Sequence, residues 1–464
     1  MMRLRSATVA LTVSLALLSA ACGSQATIDG RADGAGPADR SDDRSNDRSD
    51  DRSDDAPSRN ELLDLALDDI EAFWTDEYPR VYGDDYEPLS GGLVPYSSRR
   101  DPPDCGEPLD YEDVMGNAFY CPLTDVIAWD EQRLLPALEA EYGNFAIALV
   151  MAHEWGHAIQ ARAGVRGATI LLEQQADCFA GAWTARLAAG ESDSLELGDD
   201  SLDVALAGML EFSDQPGTPA SDPSAHGLGF DRASAFQDGF ERGADRCSTF
   251  VDDPPLLLSA LFEEQGSFVP NNLPYNEAIP LLVTDLDEYW SLVLDRAYVP
   301  VEAIVPYDVD GPARDLPRCG PSVSDPELLD GAVLYCPATN TVAWDDDFLR
   351  AVHRRIGDFG SATLLANQWA RAAQGAMEID SSAPGAELHG DCLTGSWIAY
   401  LLLGGSRNIS LTPDDLDEVI QAFLQVNLGV SDNEVTGARL AFDRLAALRS
   451  GMVDGVEVCR DYEP

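Results

Sequence analysis

The chain contains no lysine, and its 30 basic residues, all arginine, face 82 acidic residues. The resulting formal net charge of −52 repels a phosphate backbone, so nucleic acid is not expected as a partner. No two cysteines are spaced as Cys-x-x-Cys, which argues against a cysteine-rich structural zinc site. Histidine is scarce, with five residues in 464, so any histidine motif stands out against a low background.

The first 22 residues resemble an export signal that ends in a cysteine. Arg3 and Arg5 give a positive start, and residues 7–21 form an uncharged apolar run too short to span a bilayer as a permanent helix. Small residues precede Cys22, as in bacterial lipoprotein signals, where this cysteine is lipidated and becomes the new N-terminus. The alternative is an ordinary cleaved signal with an incidental cysteine. We predict a lipoprotein-type signal peptide at residues 1–22 and a protein anchored to the outer face of the cell membrane.

A polar, repetitive segment follows this signal. Residues 30–58 repeat Asp, Arg and Ser and offer nothing apolar to bury. Such a segment cannot offset the entropy of ordering, so we predict a disordered tether at residues 23–59.

The sequence after the tether contains an internal repeat. Tyr-Cys-Pro at residues 120–122 recurs at 335–337, and the cysteines at 105 and 178 recur 214 positions later, at 319 and 392. A near-constant offset over so long a stretch predicts two homologous copies of one domain. The predicted boundaries are 60–250 for the first domain, 251–274 for a linker and 275–464 for the second domain.

Apart from Cys22 there are eight cysteines, four in each predicted domain. An even number favours disulfides in an oxidising, extracytoplasmic compartment. Four cysteines allow three connectivities, of which local pairing suggests one. The suggested pairs are Cys105–Cys121, Cys178–Cys247, Cys319–Cys336 and Cys392–Cys459.

Each domain is predicted to be α+β and mainly helical. Apolar periodicity predicts an opening helix at 61–75, followed by Gly- and Pro-rich loops to about residue 115. Two short β-rich runs, at 118–121 and 126–129, predict a small β-hairpin. Later helices are predicted at residues 144–162, 170–188, 201–212 and 231–242.

One of these helices carries His153-Glu154-Trp155-Gly156-His157, an HExxH motif within an apolar run. Residues four apart share one face of a helix, so both imidazoles can bind a single zinc ion. Glu154 lies beside them, where it can act as general base toward zinc-activated water, since zinc lowers the pKa of bound water to about 7. The alternative is two exposed histidines with a chance glutamate.

A third ligand is expected in the next helix. Glu173, sixteen positions after His157, can complete a His₂Glu site that leaves one position open. Asp177 shares the helix face of Glu173 and can accept the second N–H of a ligating histidine. The alternative for this pair is two surface acids in a very acidic protein.

Together these motifs resemble the bacterial neutral zinc metallopeptidase family. The resemblance covers about residues 60–250 and rests on four motifs in order, at 119–122, 152–160, 173–183 and 239–243. It implies a zincin-like peptidase with Glu173 as third ligand and a peptide or protein as substrate. It also points to His226, followed by Arg232, as a residue that could stabilise an anionic tetrahedral intermediate; a structural or surface role has equal weight.

The second copy has lost the histidine motif. Its residues at the positions of His153, Glu154, His157, Glu173 and Asp177 are, in that order, Asn367, Gln368, Arg371, Glu387 and Asp391. Arg371 would place a fixed positive charge where zinc binds and could pair with Glu387. His226 aligns with Ala438, and neither His353 nor His389 restores the motif. We therefore predict one zinc ion, in the first domain, and a degenerate, metal-free pseudopeptidase domain after it.

The sequence thus predicts a membrane-anchored, extracytoplasmic zinc peptidase that hydrolyses peptide bonds with zinc-activated water and Glu154 as general base. The alternative is a non-catalytic surface lipoprotein that uses the duplicated fold for protein–protein interaction. The complete His-Glu-His-Glu set in one copy favours the enzyme. The second domain would bind substrate or a partner, or only stabilise the first.

Overall fold

The structure is a computed structural model. It describes residues 26–28, 58–106, 108–222, 224–266, 271–312, 314–319, 326–379, 385–425 and 440–460. The predicted signal peptide with Cys22, and Ala438, lie outside the described residues. Within the described ranges, no helix is both long and apolar enough to cross a membrane.

The first half, up to residue 250, is mainly helical. Its long opening helix begins at a capping box, in which Ser58 and Glu61 each accept a hydrogen bond from the backbone of the other. The helices are α1 (Arg59–Tyr82), α2 (Tyr111–Val114), α3 (Leu134–Tyr142), α4 (Asn144–Ala163), α5 (Thr169–Ala188), α6 (Ser201–Glu211) and α7 (Gly229–Ser248). The strands are β1 (Ala26–Ile28), β2 (Gly92–Tyr96), β3 (Ala118–Cys121), β4 (Val126–Asp130) and β5 (Leu195–Leu197).

The predicted hairpin is part of a three-stranded sheet with the order β2-β4-β3. β3 and β4 pair antiparallel as expected, and β2 pairs parallel with β4, from Gly92 opposite Val126 to Tyr96 opposite Asp130. Our prediction of loops up to residue 115 was therefore wrong for β2. Pro95 and the glycines before the strand concealed it, because proline and glycine are typical of turns.

The second half has the same kinds of element in the same order. Its sheet, β6-β8-β7, has the strand order and directions of the first. The strands are β6 (Ala303–Tyr307), β7 (Val333–Cys336) and β8 (Thr341–Asp345). The helices from residue 258 on are α8 (Leu258–Gln265), α9 (Tyr275–Leu294), α10 (Pro326–Leu329), α11 (Asp346–Arg355), α12 (Asp358–Ala376), α13 (Ala386–Leu402), α14 (Asp415–Gln425), α15 (Leu440–Asp454) and α16 (Val456–Arg460). The prediction of a mainly helical α+β chain is confirmed.

The predicted disordered tether and the predicted linker both contain regular structure. Within the predicted tether, β1 pairs in parallel with β5, and Ile28 is buried. Within the predicted linker, α8 is anchored by Asp231, whose carboxylate accepts hydrogen bonds from the Leu258 and Ser259 backbone N–H groups at 2.7 and 3.0 Å. Both elements are too short to give a periodic signal, so only contacts with distant residues stabilise them.

Helices α5 and α7 pack backbone to backbone. A Cβ added at Gly239 would lie 1.8 Å from the Cys178 carbonyl oxygen, and one at Gly181 would lie 2.0 Å from the Phe236 carbonyl oxygen. In the second half, α13 and α15 pack in the same way through Gly395 and Gly451. Glycine at these crossings allows the two helix backbones to approach closely, because it has no Cβ to hold them apart.

The four suggested disulfides are all present, so the suggested pairing is confirmed. Cys178–Cys247 joins α5 to α7, and Cys392–Cys459 joins α13 to α16. The remaining bonds, Cys105–Cys121 and Cys319–Cys336, each join the segment between the first two strands of a sheet, in chain order, to its edge strand β3 or β7.

The two halves share one hydrophobic core and exchange helix caps. Asp417 of α14 accepts hydrogen bonds from the Gly229 and Phe230 N–H groups, at 3.2 and 2.8 Å, at the start of α7. In return, Asp203 of α6 accepts from the Ala441 and Phe442 N–H groups, at 3.3 and 2.9 Å, at the start of α15. Each half therefore caps a helix of the other, and the contacts are reciprocal, as they are in an isologous dimer with twofold symmetry.

We predict that Gly239→Ala lowers the free energy of unfolding by about 1–3 kcal/mol, because the added methyl group cannot fit against the α5 backbone. Gly208→Ala is the control: its Cβ would meet only a side-chain methyl of Leu149 at 3.9 Å. Urea unfolding monitored by circular dichroism measures both variants. Equal midpoints for the two would contradict the close packing of α5 and α7.

Candidate metal centre

Helix α4 presents the histidine motif on its buried face. The helix follows Gly143, whose positive φ of 79° separates it from α3, and ends at Gly164 in the left-handed region. Gly156 lies where α5 crosses, since a Cβ there would come within 2.8 Å of the Ala176 Cα atom. The glycine in the middle of the motif therefore allows α5 to approach closely enough for Glu173 to reach the histidines.

Three side chains from α4 and α5 converge on one point. The Nε2 atoms of His153 and His157 are 3.2 Å apart. Glu173 places one carboxylate oxygen 3.3 Å from His153 Nε2 and the other 3.5 Å from His157 Nε2. Ligands about 2.0–2.1 Å from a tetrahedral zinc ion are separated by edges of about 3.3–3.4 Å. The two imidazole nitrogens thus have the spacing of two corners of a zinc tetrahedron, and the Glu173 carboxylate faces each of them with one oxygen.

The other ring nitrogens fix the direction of the lone pairs. His153 Nδ1–H donates to Asp177 at 2.7 Å. His157 Nδ1 lies 3.0 Å from Gln160 Oε1, and the Gln160 amide nitrogen donates to the Leu172 carbonyl, so the oxygen faces the imidazole and accepts from it. With both Nδ1 atoms protonated, both Nε2 lone pairs point at each other and at a carboxylate. Positive charge between them satisfies that arrangement, either as protons on Nε2 or as a bound metal ion.

The charges in this cluster favour a bound cation. Burial lowers the pKa of His153, but the carboxylates of Asp177 and Glu173 outweigh it and raise the pKa to about 10. The pKa of His157 is also raised against burial, chiefly by Glu173. Burial acts to raise the pKa of Glu173, and both histidines overcome it and hold the pKa well below the usual range. The carboxylates that stabilise two positive imidazoles here can equally stabilise one divalent ion bound by those imidazoles.

A buried ion pair supports Asp177 from behind. The Arg232 guanidinium on α7 donates two hydrogen bonds of 2.8 Å, one to each Asp177 oxygen. A third goes to the Phe212 carbonyl at 2.6 Å. Burial acts to raise the pKa of Asp177, but Arg232 and His153 lower it overall, so the carboxylate stays ionised and orients His153.

Glu154 lies on the side of the cluster that faces the cavity, and little of its side chain is exposed to bulk solvent. Its Oε2 atom accepts a hydrogen bond of 2.8 Å from the Tyr120 backbone N–H on β3. This contact holds the carboxylate at the wall of a cavity of about 630 Å³ that also contains the three donor side chains. Apolar side chains from α4 and α6 line the same cavity, among them Val150, Met209 and Phe212.

His226 lies at the rim of this cavity, with half of its side chain exposed. Its Nδ1 atom is 3.4 Å from Asp214, and that carboxylate raises the pKa of His226 against partial burial. The protonated imidazole can donate a hydrogen bond toward the cavity. Its backbone carbonyl accepts a hydrogen bond of 2.9 Å from Gln174 of α5.

The corresponding place in the second half is filled by other side chains. Asn367 donates to Asp391 at 2.9 Å, and Arg444 pairs with that carboxylate at 2.7 Å, as Arg232 does with Asp177. Arg371 forms an ion pair of 3.0 Å with Glu387, which the sequence had suggested. A guanidinium thus takes the position where the first half gathers two imidazoles.

Sequence reasoning placed five of these residues and overlooked three contacts. The structure brings His153, His157, Glu173 and Asp177 together, with Glu154 beside them. The overlooked contacts are those of Gln160 with His157, of Arg232 with Asp177 and of the Tyr120 N–H with Glu154. Gln160 was detectable, because it lies three positions from His157 on the same helix; the other two join elements that are distant in sequence.

Comparison with known proteins agrees with this geometry. The family model described as "Putative neutral zinc metallopeptidase" matches residues 4–250, which is more than half of the chain. The chain belongs to this family. No solved structure matches it.

The curated relatives are identical to this chain at about one in three of the matched residues. The protein YpfJ of Escherichia coli K12 is 32% identical over 166 residues, covering 30% of this chain and 55% of YpfJ. The protein Rv2575 of Mycobacterium tuberculosis H37Rv is 31% identical over 159 residues, covering 28% of this chain and 54% of Rv2575. Both are described as uncharacterized, and the chain spans about half the length of each.

We predict that Asp177→Asn lowers zinc affinity roughly 10- to 100-fold, because the amide no longer holds the His153 ring by a charged hydrogen bond. Asp391→Asn is the matched control: it leaves Arg444 unpaired just as the first variant leaves Arg232 unpaired, so the two share the cost in stability. Zinc affinity is measured by competition with a chromogenic chelator. An equal affinity in the two variants would show that Asp177 does not orient a zinc ligand.

Proposed function

We propose that this protein is a zinc-dependent peptidase whose first half carries the active site. The observation that supports this most directly is the convergence of His153, His157 and Glu173, with both imidazole Nε2 atoms facing the carboxylate, beside Glu154 in an open cavity. Structural zinc sites are closed by four protein ligands, whereas catalytic sites keep one position open. Among the described residues the cluster supplies three ligands, so the fourth position faces the cavity.

The proposed roles follow from these positions. His153, His157 and Glu173 would hold zinc, which when bound polarises a carbonyl group and makes water more acidic. Glu154, fixed by the Tyr120 N–H, accepts a proton from the attacking water and delivers it to the leaving amine. His226 donates a hydrogen bond to the oxygen that becomes negative in the transition state.

The edge of the sheet offers a place for an extended peptide. β3 is an edge strand, and the hydrogen bond from the Asp130 N–H to the Asn117 carbonyl sets the phase of its pairing with β4. By the antiparallel pattern, the backbone groups of Ala118 and Tyr120 then point away from β4. The Tyr120 N–H is the one that holds Glu154. A substrate strand that adds to this edge would lie beside the general base.

We further propose that the halves are homologous copies and that the second supports the first. The start of α7 contains Arg232, which holds Asp177, and it lies three residues after His226. Asp417 of the second half caps exactly this helix start. Asp417 thus holds the helix of Arg232, Arg232 holds Asp177, and Asp177 orients His153. The degenerate copy would keep its fold because it supports this series of contacts.

The position of β1 changes the proposed role of the tether. If Cys22 is lipidated, as we propose, only three residues separate the anchor from Ala26, and the four Cα-to-Cα steps between them reach at most about 14 Å. The pairing of β1 with β5 would then hold the first half close to the membrane surface. A long flexible spacer does not fit that arrangement. The four disulfides are compatible with an extracytoplasmic location.

We predict that Glu154→Gln lowers kcat for peptide hydrolysis by roughly 10²–10⁴-fold, because the amide cannot accept a proton. Zinc content is expected to stay at one ion per chain, since Glu154 is not a ligand. Gln368→Ala, the same position in the second half, is the control and should keep full activity. A chelator-sensitive peptide-cleavage profile of the full chain measures both, and activity that survives in Glu154→Gln would sink this mechanism.

We predict that Asp417→Ala lowers kcat several-fold, whereas Asp203→Ala leaves it within about twofold. Each removes one pair of equivalent caps and should cost about 1–2 kcal/mol of stability, but only Asp417 holds the helix that carries Arg232. Measuring activity and urea midpoint on the same preparations separates positioning from stability. If the two variants lose activity in equal proportion, the second half does not support the site through this contact.

A further inference from the structure

The second half contains a cluster of three buried carboxylates away from the zinc ligands. One carboxylate oxygen from each of Asp358, Asp415 and Glu418 lies within 4.8 Å of the other two. These residues are only 8%, 2% and 3% exposed. Asp358 is the first residue of α12, and the other two lie in the first turn of α14.

No cation among the described residues offsets the negative charge that this cluster carries when ionised. No arginine of the described residues forms an ion pair with Asp358, Asp415 or Glu418, and burial raises the pKa of all three carboxyls. Asp414, just before α14, adds a further acidic group beside them. The neighbouring His353 acts on Asp358, but burial lowers its own pKa and so disfavours its charged form. Burying carboxylates without a cation is costly, and buried charges are normally paired or bound to a metal.

The hydrogen bonds of the cluster leave one oxygen open. The backbone N–H of Leu273 donates to Asp358 Oδ2 at 2.9 Å, the N–H of Phe359 donates to Glu418 Oε2 at 2.9 Å, and Thr412 donates to both oxygens of Asp415. Asp358 Oδ1 is buried and has no hydrogen-bond partner. A buried carboxylate oxygen without a partner is rare in folded proteins and indicates an atom that binds something else.

The backbone is shaped to admit these carboxylates. Gly357 has a φ of 139°, and a Cβ there would lie 1.8 Å from Glu418 Oε1. Only glycine therefore lets the Glu418 carboxylate lie against the start of α12. The first half does not share the cluster: 214 positions earlier it has Asn144, Ser201 and Val204. The acids are thus not a requirement of the fold that both halves adopt.

We propose that Asp358, Asp415 and Glu418 bind a calcium ion. All available donors are oxygens, which excludes the softer metals that prefer nitrogen and sulfur. Calcium accepts six to eight oxygens in flexible geometry, including bidentate carboxylates, whereas magnesium keeps several waters and needs a strict octahedron. A buried cluster of three carboxylates fits the first of these ions.

Calcium at this place would join three parts of the second half. Asp358 is bonded to Leu273 of the segment between the halves, and Glu418 to the start of α12. Asp415 and Glu418 belong to the same first turn of α14 as Asp417, which caps α7 in the first half. The ion would therefore fix the helix that reaches across the interface, although the site itself is independent of the zinc ligands.

The experiment is a calorimetric titration of calcium chloride into the zinc-loaded full chain. One saturable site is expected, with a Kd of about 10⁻⁴ M or tighter. The double variant Asp415→Asn/Glu418→Gln should lose it. Asp347→Asn, which removes an exposed acid elsewhere in the second half, should keep it, and so should His153→Ala, which removes a zinc ligand.

Thermal unfolding gives a second readout that does not depend on heats of binding. With 5 mM calcium the wild-type melting temperature should rise by roughly 2 °C, whereas the double variant should not respond. Without calcium the double variant should melt no lower than wild type, because it lacks the buried repulsion.

Two results would overturn the proposal. One is the absence of a saturable calcium site in the wild type, together with a melting temperature that rises on acidification and does not change with calcium. That result would show that the three carboxyls share protons instead of binding an ion. The other is a site that the double variant retains, or one that magnesium fills as tightly as calcium.

Discussion

The buried pair of Asp177 and Arg232 is the interaction on which the site depends. It joins α5 to α7, and the same carboxylate holds the Nδ1–H of His153. Breaking a buried ion pair of this kind leaves an uncompensated charge and typically costs about 3–5 kcal/mol. The pair therefore couples the stability of the helix crossing to the orientation of a metal ligand, and it explains why α7, which supplies no ligand, matters for the chemistry.

The second half shows which parts of this arrangement belong to the fold. It keeps the pair as Asp391 and Arg444 and the glycine crossings between α13 and α15, and its disulfide Cys392–Cys459 joins α13 to α16, the short helix after α15. It replaces the imidazoles by an amide and a guanidinium. A buried carboxylate–arginine pair with no metal ligand to orient is still needed to join two helices, so its persistence indicates a structural role that the first half uses again for its site.

Sequence reasoning reached the parts that are local or periodic. The HExxH spacing, the helix of Glu173 and the alternation of β3 and β4 are each visible within about twenty residues. It missed β2, β1 and α8, whose stability comes from distant partners: β4, β5 and the carboxylate of Asp231. It also could not show that Asp203 and Asp417 cap helices of the opposite half, because an isolated aspartate in a very acidic chain carries no signal of its partner.

We propose that the protein binds one zinc ion, which is held in the first half and absent from the second. Anomalous diffraction from crystals of the full chain, with data collected on both sides of the zinc absorption edge, tests this claim most directly. A single peak bounded by His153, His157 and Glu173 is the predicted result. No peak at that point, or a comparable peak beside Arg371 and Glu387, would contradict it.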